Sequence, residues 1–120
     1  MDKNVLTLAY MGDAVYEIYI RQFLVSKGIV KVKELQKEAI SYVSASAQEK
    51  FLFAMIENNF LTEEELALVM RARNHKVAHR PKSASVITYK NATGLEALLG
   101  YHYLENHEKR IVEIMNFITG

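Results

Sequence analysis

The sequence predicts an all-α fold in a single domain, and three observations carry that prediction. Apolar residues recur at helical spacing almost from end to end, no stretch of alternating apolar and polar residues competes as a strand, and the breaks between periodic segments coincide with residues that start or stop helices. The 120 residues, 50% hydrophobic and 24% charged with one proline, have the length and composition of one globular domain with a real core. One domain over residues 1–120 and six to seven helices are expected.

The first helix is predicted over Val5–Lys27, where Leu6, Ala9, Tyr10, Tyr16, Ile20 and Leu24 recur at helical spacing and Gly28 is a natural stop. A second covers Val32–Tyr42, with Val32, Leu35, Ala39 and Val43 on one face. Ser44 caps a third, which runs through Phe51, Met55 and Ile56 and closes at Asn58 and Asn59. Thr62-Glu63-Glu64-Glu65 is a capping box: the Thr62 hydroxyl and Glu65 carboxylate satisfy amides left free at a helix start. The fourth helix begins there and runs through Leu66, Val69, Met70 and Arg73 towards His79, before Pro81 forces the chain out of helical geometry. Lys82–Lys90 reads as the one long loop. Helical patterning returns at Ala92–Leu104 and at Ile111, Ile114, Met115 and Ile118. There is no internal repeat and no low-complexity linker.

Composition removes several classes of function. Without cysteine there are no disulfides, thiolate metal sites or cysteine nucleophiles, so any metal must use oxygen or imidazole. No apolar run approaches the roughly 20 residues that span a bilayer, and Met1-Asp2-Lys3-Asn4 does not introduce a secretory signal, so a cytoplasmic protein without membrane contact is expected.

The net charge of +1 hides an uneven distribution. Between Leu66 and Leu95 there is no Asp or Glu, whereas Arg71, Arg73, Lys76, Arg80, Lys82 and Lys90 are all positive and His75 and His79 lie among them. The rest of the chain is acidic. A one-signed segment that also carries Ser83, Ser85, Thr88 and Tyr89 suits a polyanion backbone better than a randomly solvated face. His75 and His79, spaced i, i+4, can bind zinc from one helical face, but their setting favours phosphate or base contact. The tyrosines, including Tyr10, Tyr16, Tyr19 and Tyr42, and the phenylalanines fall at core spacing and do not read as a stacking platform for single strands.

Two lone carboxylates stand out. Asp13 lies within the first helix among Met11, Gly12, Ala14 and Val15, where an unpaired charge on a mostly apolar face demands a cation, a hydrogen-bond network or solvent. Gly12 costs the helix about 1 kcal/mol against alanine, which points to close approach by another element or ligand. Glu96 repeats the situation as the sole charge in Thr93–Gly100, with Gly94 and Gly100 beside it. If the two helices cross face to face, Asp13 and Glu96 can share a hard divalent cation, since Mg²⁺ takes one or two carboxylates and keeps waters or phosphates as its other ligands. A pair with Arg or Lys for each acid is the competing reading.

At these residues the chain resembles a known family. Met11-Gly12-Asp13-Ala14-Val15 is similar to the core of the ribonuclease III signature. The run from Ala92 to Gly100, followed by Leu104, resembles the second acidic motif of that family, in the same order and at fitting spacing. The short length, the lack of an appended double-stranded-RNA-binding domain and the Arg71–Asn91 region make the bacterial Mini-ribonuclease III branch the best match, over essentially the whole chain. The resemblance implies an all-α endonuclease domain of the ribonuclease III type, working as a homodimer with one acidic metal site per subunit. It implies Asp13 and Glu96 as catalytic metal-binding carboxylates, Mg²⁺ as cofactor with Mn²⁺ as a substitute, and double-stranded RNA as substrate, cut to leave 5′ phosphates. The expected target is precursor ribosomal RNA of the large subunit, with a ribosomal protein as helper.

Two positions depart from the pattern. Ala9 stands where the full-length enzymes place a glutamate and Thr93 where they place an aspartate, leaving waters, Glu17 or RNA phosphates as replacement ligands. The dimer expectation has its own motive in apolar excess: Tyr10, Tyr16, Ile20 and Phe23 on the first helix, and Leu95, Leu98, Leu99 and Tyr103 on the fifth. A second functional reading of the same residues is a catalytically silent helical module that binds structured RNA or a protein partner, with Asp13 and Glu96 as internal pairing groups.

Overall fold

Side-chain caps set most helix starts. Asn4 Oδ1 accepts from the Leu6 amide at 2.7 Å, Ser44 Oγ from Ala47 at 3.2 Å and Ser85 Oγ from Thr88 at 3.1 Å, while Thr62 and Glu65 form the full capping box. The computed structural model describes residues 4–75 and 85–120, and among them the chain forms six helices and no strand. These are α1 (Val5–Ser26), α2 (Val32–Val43), α3 (Ala45–Glu57), α4 (Glu63–Arg73), α5 (Val86–Leu104) and α6 (Glu108–Thr119). Gly28 follows α1 at φ 87°, and Asn59 ends the turn after α3 at φ 52°, both in the left-handed region that these residue types tolerate. None of the described helices is long and apolar enough to cross a membrane.

Two boundaries differ from expectation. α4 stops at Arg73 instead of running towards His79: Asn74, a weak helix former, caps it, and the Arg73 guanidinium bonds the Asn74 side chain at 3.2 Å. Val86–Lys90, read as loop, are the first turns of α5, because Ser85 is an N-cap whose hydroxyl serves the Thr88 amide. The same Ser and Thr residues had looked like free donors of a loop.

α5 is the centre of the bundle. It is apolar nearly all round, as a helix surrounded by others must be, and it packs most extensively against α1, then α4 and α3. Leu95, Leu98 and Leu99 are fully buried against Tyr16, Ile20 and Leu24 of α1, Leu52 and Met55 of α3, Val69 of α4, and Ile111 and Ile114 of α6. Each such aliphatic side chain contributes roughly 1.5–3 kcal/mol on burial. The apolar excess on α1 and α5 is therefore mostly core: Tyr16, Ile20, Leu95, Leu98 and Leu99 are inside and Phe23 is half-buried, while Tyr10 and Tyr103 are exposed. α2 is peripheral, with no buried residue and Val32 in solvent, because it packs on α1 and α3 without another layer outside it.

The glycines explain how α1 and α5 reach contact distance. A Cβ on Gly12 would overlap the Glu96 carbonyl and sit 2.9 Å from the Gly100 amide nitrogen; one on Gly100 would overlap the Leu8 carbonyl. Backbone meets backbone there. Gly94 admits Val69 of α4 in the same manner, its would-be Cβ lying 3.0 Å from the Val69 side chain.

Candidate active site

The Gly12–Gly100 crossing brings the two lone carboxylates together. Asp13 follows Gly12 on α1 and Glu96 lies one turn before Gly100 on α5, so the contact that excludes a Cβ aligns the acids at one cleft. That cleft has a volume of about 440 Å³ and is lined by Leu6, Tyr10 and Asp13 of α1, Ala45 and Gln48 of α3, and Tyr89, Thr93 and Glu96 of α5, among others. Asp13 is exposed at its mouth, not set on a buried apolar face as its neighbours suggested: Leu6, Tyr10 and Asp13 form an outer ridge of α1, while Leu8, Gly12, Val15 and Tyr16 face the core.

Glu96 is the deeper of the two. Burial pushes its carboxyl up to about 8, and the adjacent Asp13 carboxylate adds to the rise through charge and hydrogen bonding. A 3.4 Å hydrogen bond from Gln48 Nε2 pulls weakly the other way. Two carboxylates held this close, with no cationic side chain among the described residues paired to either, need a proton or a cation between them. Among the described residues no Arg or Lys pairs with either acid, the partner that the competing reading calls for.

The remaining candidates divide. Thr93 is buried in the cleft, where its hydroxyl donates to the Tyr89 carbonyl at 3.0 Å. Ala9 lines the cleft without a polar group. Glu17, on the same ridge as Asp13 but a turn further along, lines a separate groove between α1 and α2 and pairs with Arg21 at 3.1 Å, so it does not join the acidic pair. Arg71 is exposed on α4 and Lys90 half-buried on α5. Arg73 turns inward: its Nε donates to Asn91 Oδ1 at 2.8 Å, and Asn91 in turn donates to Glu49 Oε2 at 2.8 Å, which also serves to tie α4, α5 and α3 beside the cleft. His75 is half-buried and takes part in a polar contact. Lys76, His79, Arg80 and Lys82 lie outside the described residues.

The donor set is all oxygen: two carboxylates, the Thr93 hydroxyl and the Gln48 amide. Among the described residues no three His, Asp or Glu side chains gather as a closed metal cage. An oxygen site with only two charges suits a hydrated Mg²⁺ and leaves coordination positions for phosphate.

Gln48, Glu49 and Asn91 were not singled out from sequence. Gln48 carried a readable signal, because it continues the seam of Leu52 and Met55 at i, i+4, i+7 and is the polar member of an otherwise buried stripe.

Residues 6–107 match the ribonuclease III domain model. The chain is 47% identical over 114 residues to the Mini-ribonuclease 3 of Enterococcus faecalis, covering 95% of this chain and 86% of that protein. It is 39% identical over 115 residues to the Mini-ribonuclease 3 of Staphylococcus aureus, covering 96% and 86%. A crystal structure of a protein from Fusobacterium nucleatum is similar with a TM-score of 0.86 and 36% identity, covering 98% of this chain and 93% of that one.

Proposed function

The chain belongs to the ribonuclease III family, in its Mini-ribonuclease 3 branch, and from that premise we propose that this endoribonuclease hydrolyses phosphodiester bonds of double-stranded RNA with Mg²⁺ as cofactor. The observation that carries the finer reading is the pairing of exposed Asp13 with half-buried Glu96 at an open cleft. No cationic side chain among the described residues neutralises this pair, which is the condition for binding a divalent cation.

Asp13 and Glu96 would hold the ion, with Mn²⁺ as a substitute. Bound there, it supplies Lewis-acid polarisation of the scissile phosphate and a water acidic enough to be deprotonated near neutral pH. Glu96, whose carboxyl is pushed up to about 8 by burial and by Asp13, would have to give up its proton to hold the ion, so binding would strengthen with pH. Asp13 lies exposed at the mouth, where phosphate would enter. Buried Thr93, Tyr10 and Tyr89 also line the cleft.

Phosphate contacts fall to exposed Arg71 and half-buried Lys90 and, by sequence alone, to Lys76, Arg80 and Lys82 of the same acid-free segment. An A-form duplex hides its base edges, so these side chains read phosphates, 2′-hydroxyls and shape. Exposed Tyr10, beside the acidic pair, supports a homodimer that seats the two strands against two sites. The substrate placed here is a stem in precursor large-subunit ribosomal RNA in the cytoplasm, presented with the help of a ribosomal protein.

Purified protein is expected to cut a long RNA duplex in Mg²⁺, leave 5′ phosphates and stop in chelator. Cutting that ignores chelator, or duplex binding without any cleavage, overturns this reading, the latter in favour of a silent RNA-binding module.

A further inference from the structure

Gln48 reaches the acidic cleft from α3, a helix to which neither acidic motif belongs. It is 3% exposed, and its Nε2 donates both to the Val43 carbonyl at 3.1 Å and to Glu96 Oε2 at 3.4 Å. The Val43 carbonyl, which can only accept, determines the orientation of the amide, because turning it over would set Oε1 against that carbonyl oxygen. The carbonyl oxygen is then the edge left over. Gln48 Oε1 is the one buried side-chain polar atom among the described residues that has no hydrogen-bond partner.

An unsatisfied buried acceptor destabilises the fold, and leucine or methionine would fill the same seam beside Leu52 and Met55 without that penalty. Packing therefore does not account for glutamine at this position. Its surroundings do: it lines the cleft of Asp13, Thr93 and Glu96, where the protein offers two charges and where a hydrated cation would bring water donors close to a free acceptor.

We propose that Gln48 is a positioning residue for the cation site, its Nε2 orienting the Glu96 carboxylate and its Oε1 accepting a hydrogen bond from a water of the cation's hydration shell. This rests on the metal-dependent reading above and deepens it. The neutral amide takes over, at one remove, part of what a third carboxylate would do, and does so without adding charge to a site already crowded with it.

The test measures Mg²⁺ and Mn²⁺ binding to the full chain without RNA, by calorimetry and by the electron paramagnetic resonance of free Mn²⁺, for wild type, Gln48→Leu and Gln48→Met. The expected result is metal binding weakened by about 10-fold or more in both variants. Their metal-free melting temperature should be unchanged or higher, because the orphaned acceptor is gone. In cleavage assays the half-saturating Mg²⁺ concentration should rise by a similar factor, with kcat largely recovered at high Mg²⁺. Wild-type metal affinity in either folded variant overturns the role of Gln48 and leaves the metal site standing. Absence of binding by wild type overturns both.

Discussion

Glu65 and Glu96 are two glutamates drawn into the same helical bundle, and their surroundings treat them in opposite ways. Glu65, 6% exposed, has each oxygen satisfied twice: Oε1 accepts from Thr62 N at 2.9 Å and Arg110 Nη2 at 2.7 Å, Oε2 from Arg110 Nε at 2.8 Å and His102 Nε2 at 2.7 Å. Arg110 also donates to the Phe60 carbonyl at 2.8 Å. Burial alone would raise the Glu65 carboxyl, but the Arg110, His102 and Thr62 hydrogen bonds outweigh it and hold the group well below the usual carboxylate range. Glu96 has one long bond from Gln48 and a second acid for a neighbour, and its carboxyl rises. The cleft beside the Glu65 network is the larger, about 610 Å³ against about 440 Å³, so size does not mark the candidate site. Unfinished electrostatics does.

The contrast is broken most sharply at Asp13. Asp13→Asn should reduce single-turnover duplex cleavage at saturating Mg²⁺ on the order of 10³-fold or more, because it removes a charge the cation requires. Its melting temperature in chelator should hold or rise. Retained cleavage would place the two glutamates on the same footing after all. The counterpart change, Glu65→Ala, is expected to cost about 3–5 kcal/mol in urea unfolding, since it strands Arg110 and His102 without their acceptor. Cleavage measured well below its melting point should stay near wild type.

pH separates the two without altering a residue the fold depends on. Glu96 has a folded pKa of about 8, above its ordinary 4.5, so the folded state binds the extra proton between those values. Its contribution is fully present below about 4.5 and is lost as pH rises through 8. Glu65 has the reverse sign: its stabilisation is present above the ordinary carboxylate pKa and disappears as pH falls towards its depressed value. In chelator, wild-type stability should therefore decline from mildly acid pH to pH 8 by a few kcal/mol, and Glu96→Gln should flatten that limb alone. An unchanged slope in the variant would show that Glu96 is not the group responsible.

The smallest effects concern the basic surface. Arg71→Ala and Lys90→Ala are each expected to weaken binding to unrelated duplexes and to lower the log–log salt slope by something under about 1. Arg73→Ala should instead cost about 1 kcal/mol of stability, because Arg73 is engaged by Asn91. A salt-slope change from Arg73→Ala equal to that of Arg71→Ala would put both on the RNA side of the comparison.

The sequence by itself determined the helices, most of their ends, and the pair of acids. Caps and stops act within about four residues, so Gly28, Ser44 and the Thr62–Glu65 box could be read directly. Even Gly12 and Gly100 announced a close crossing, because a helix tolerates glycine only at a cost. Where local signals were mixed, as at Ser85–Thr88, the same hydroxyls served as cap or loop donors and the boundary was misplaced. Only the tertiary structure decided what each face meets. Tyr10 and Tyr16 lie on one helix at similar spacing from their apolar neighbours, yet Tyr10 is 79% exposed and Tyr16 is 1% exposed with its hydroxyl on the Tyr42 carbonyl. Asp13 proved exposed, Arg73 turned to Asn91, and Gln48 arrived at Glu96 from 48 residues away in sequence. Burial, hydrogen-bond partners and pKa shifts are properties of what packs across a helix from a residue, and helical spacing records only which residues share a face.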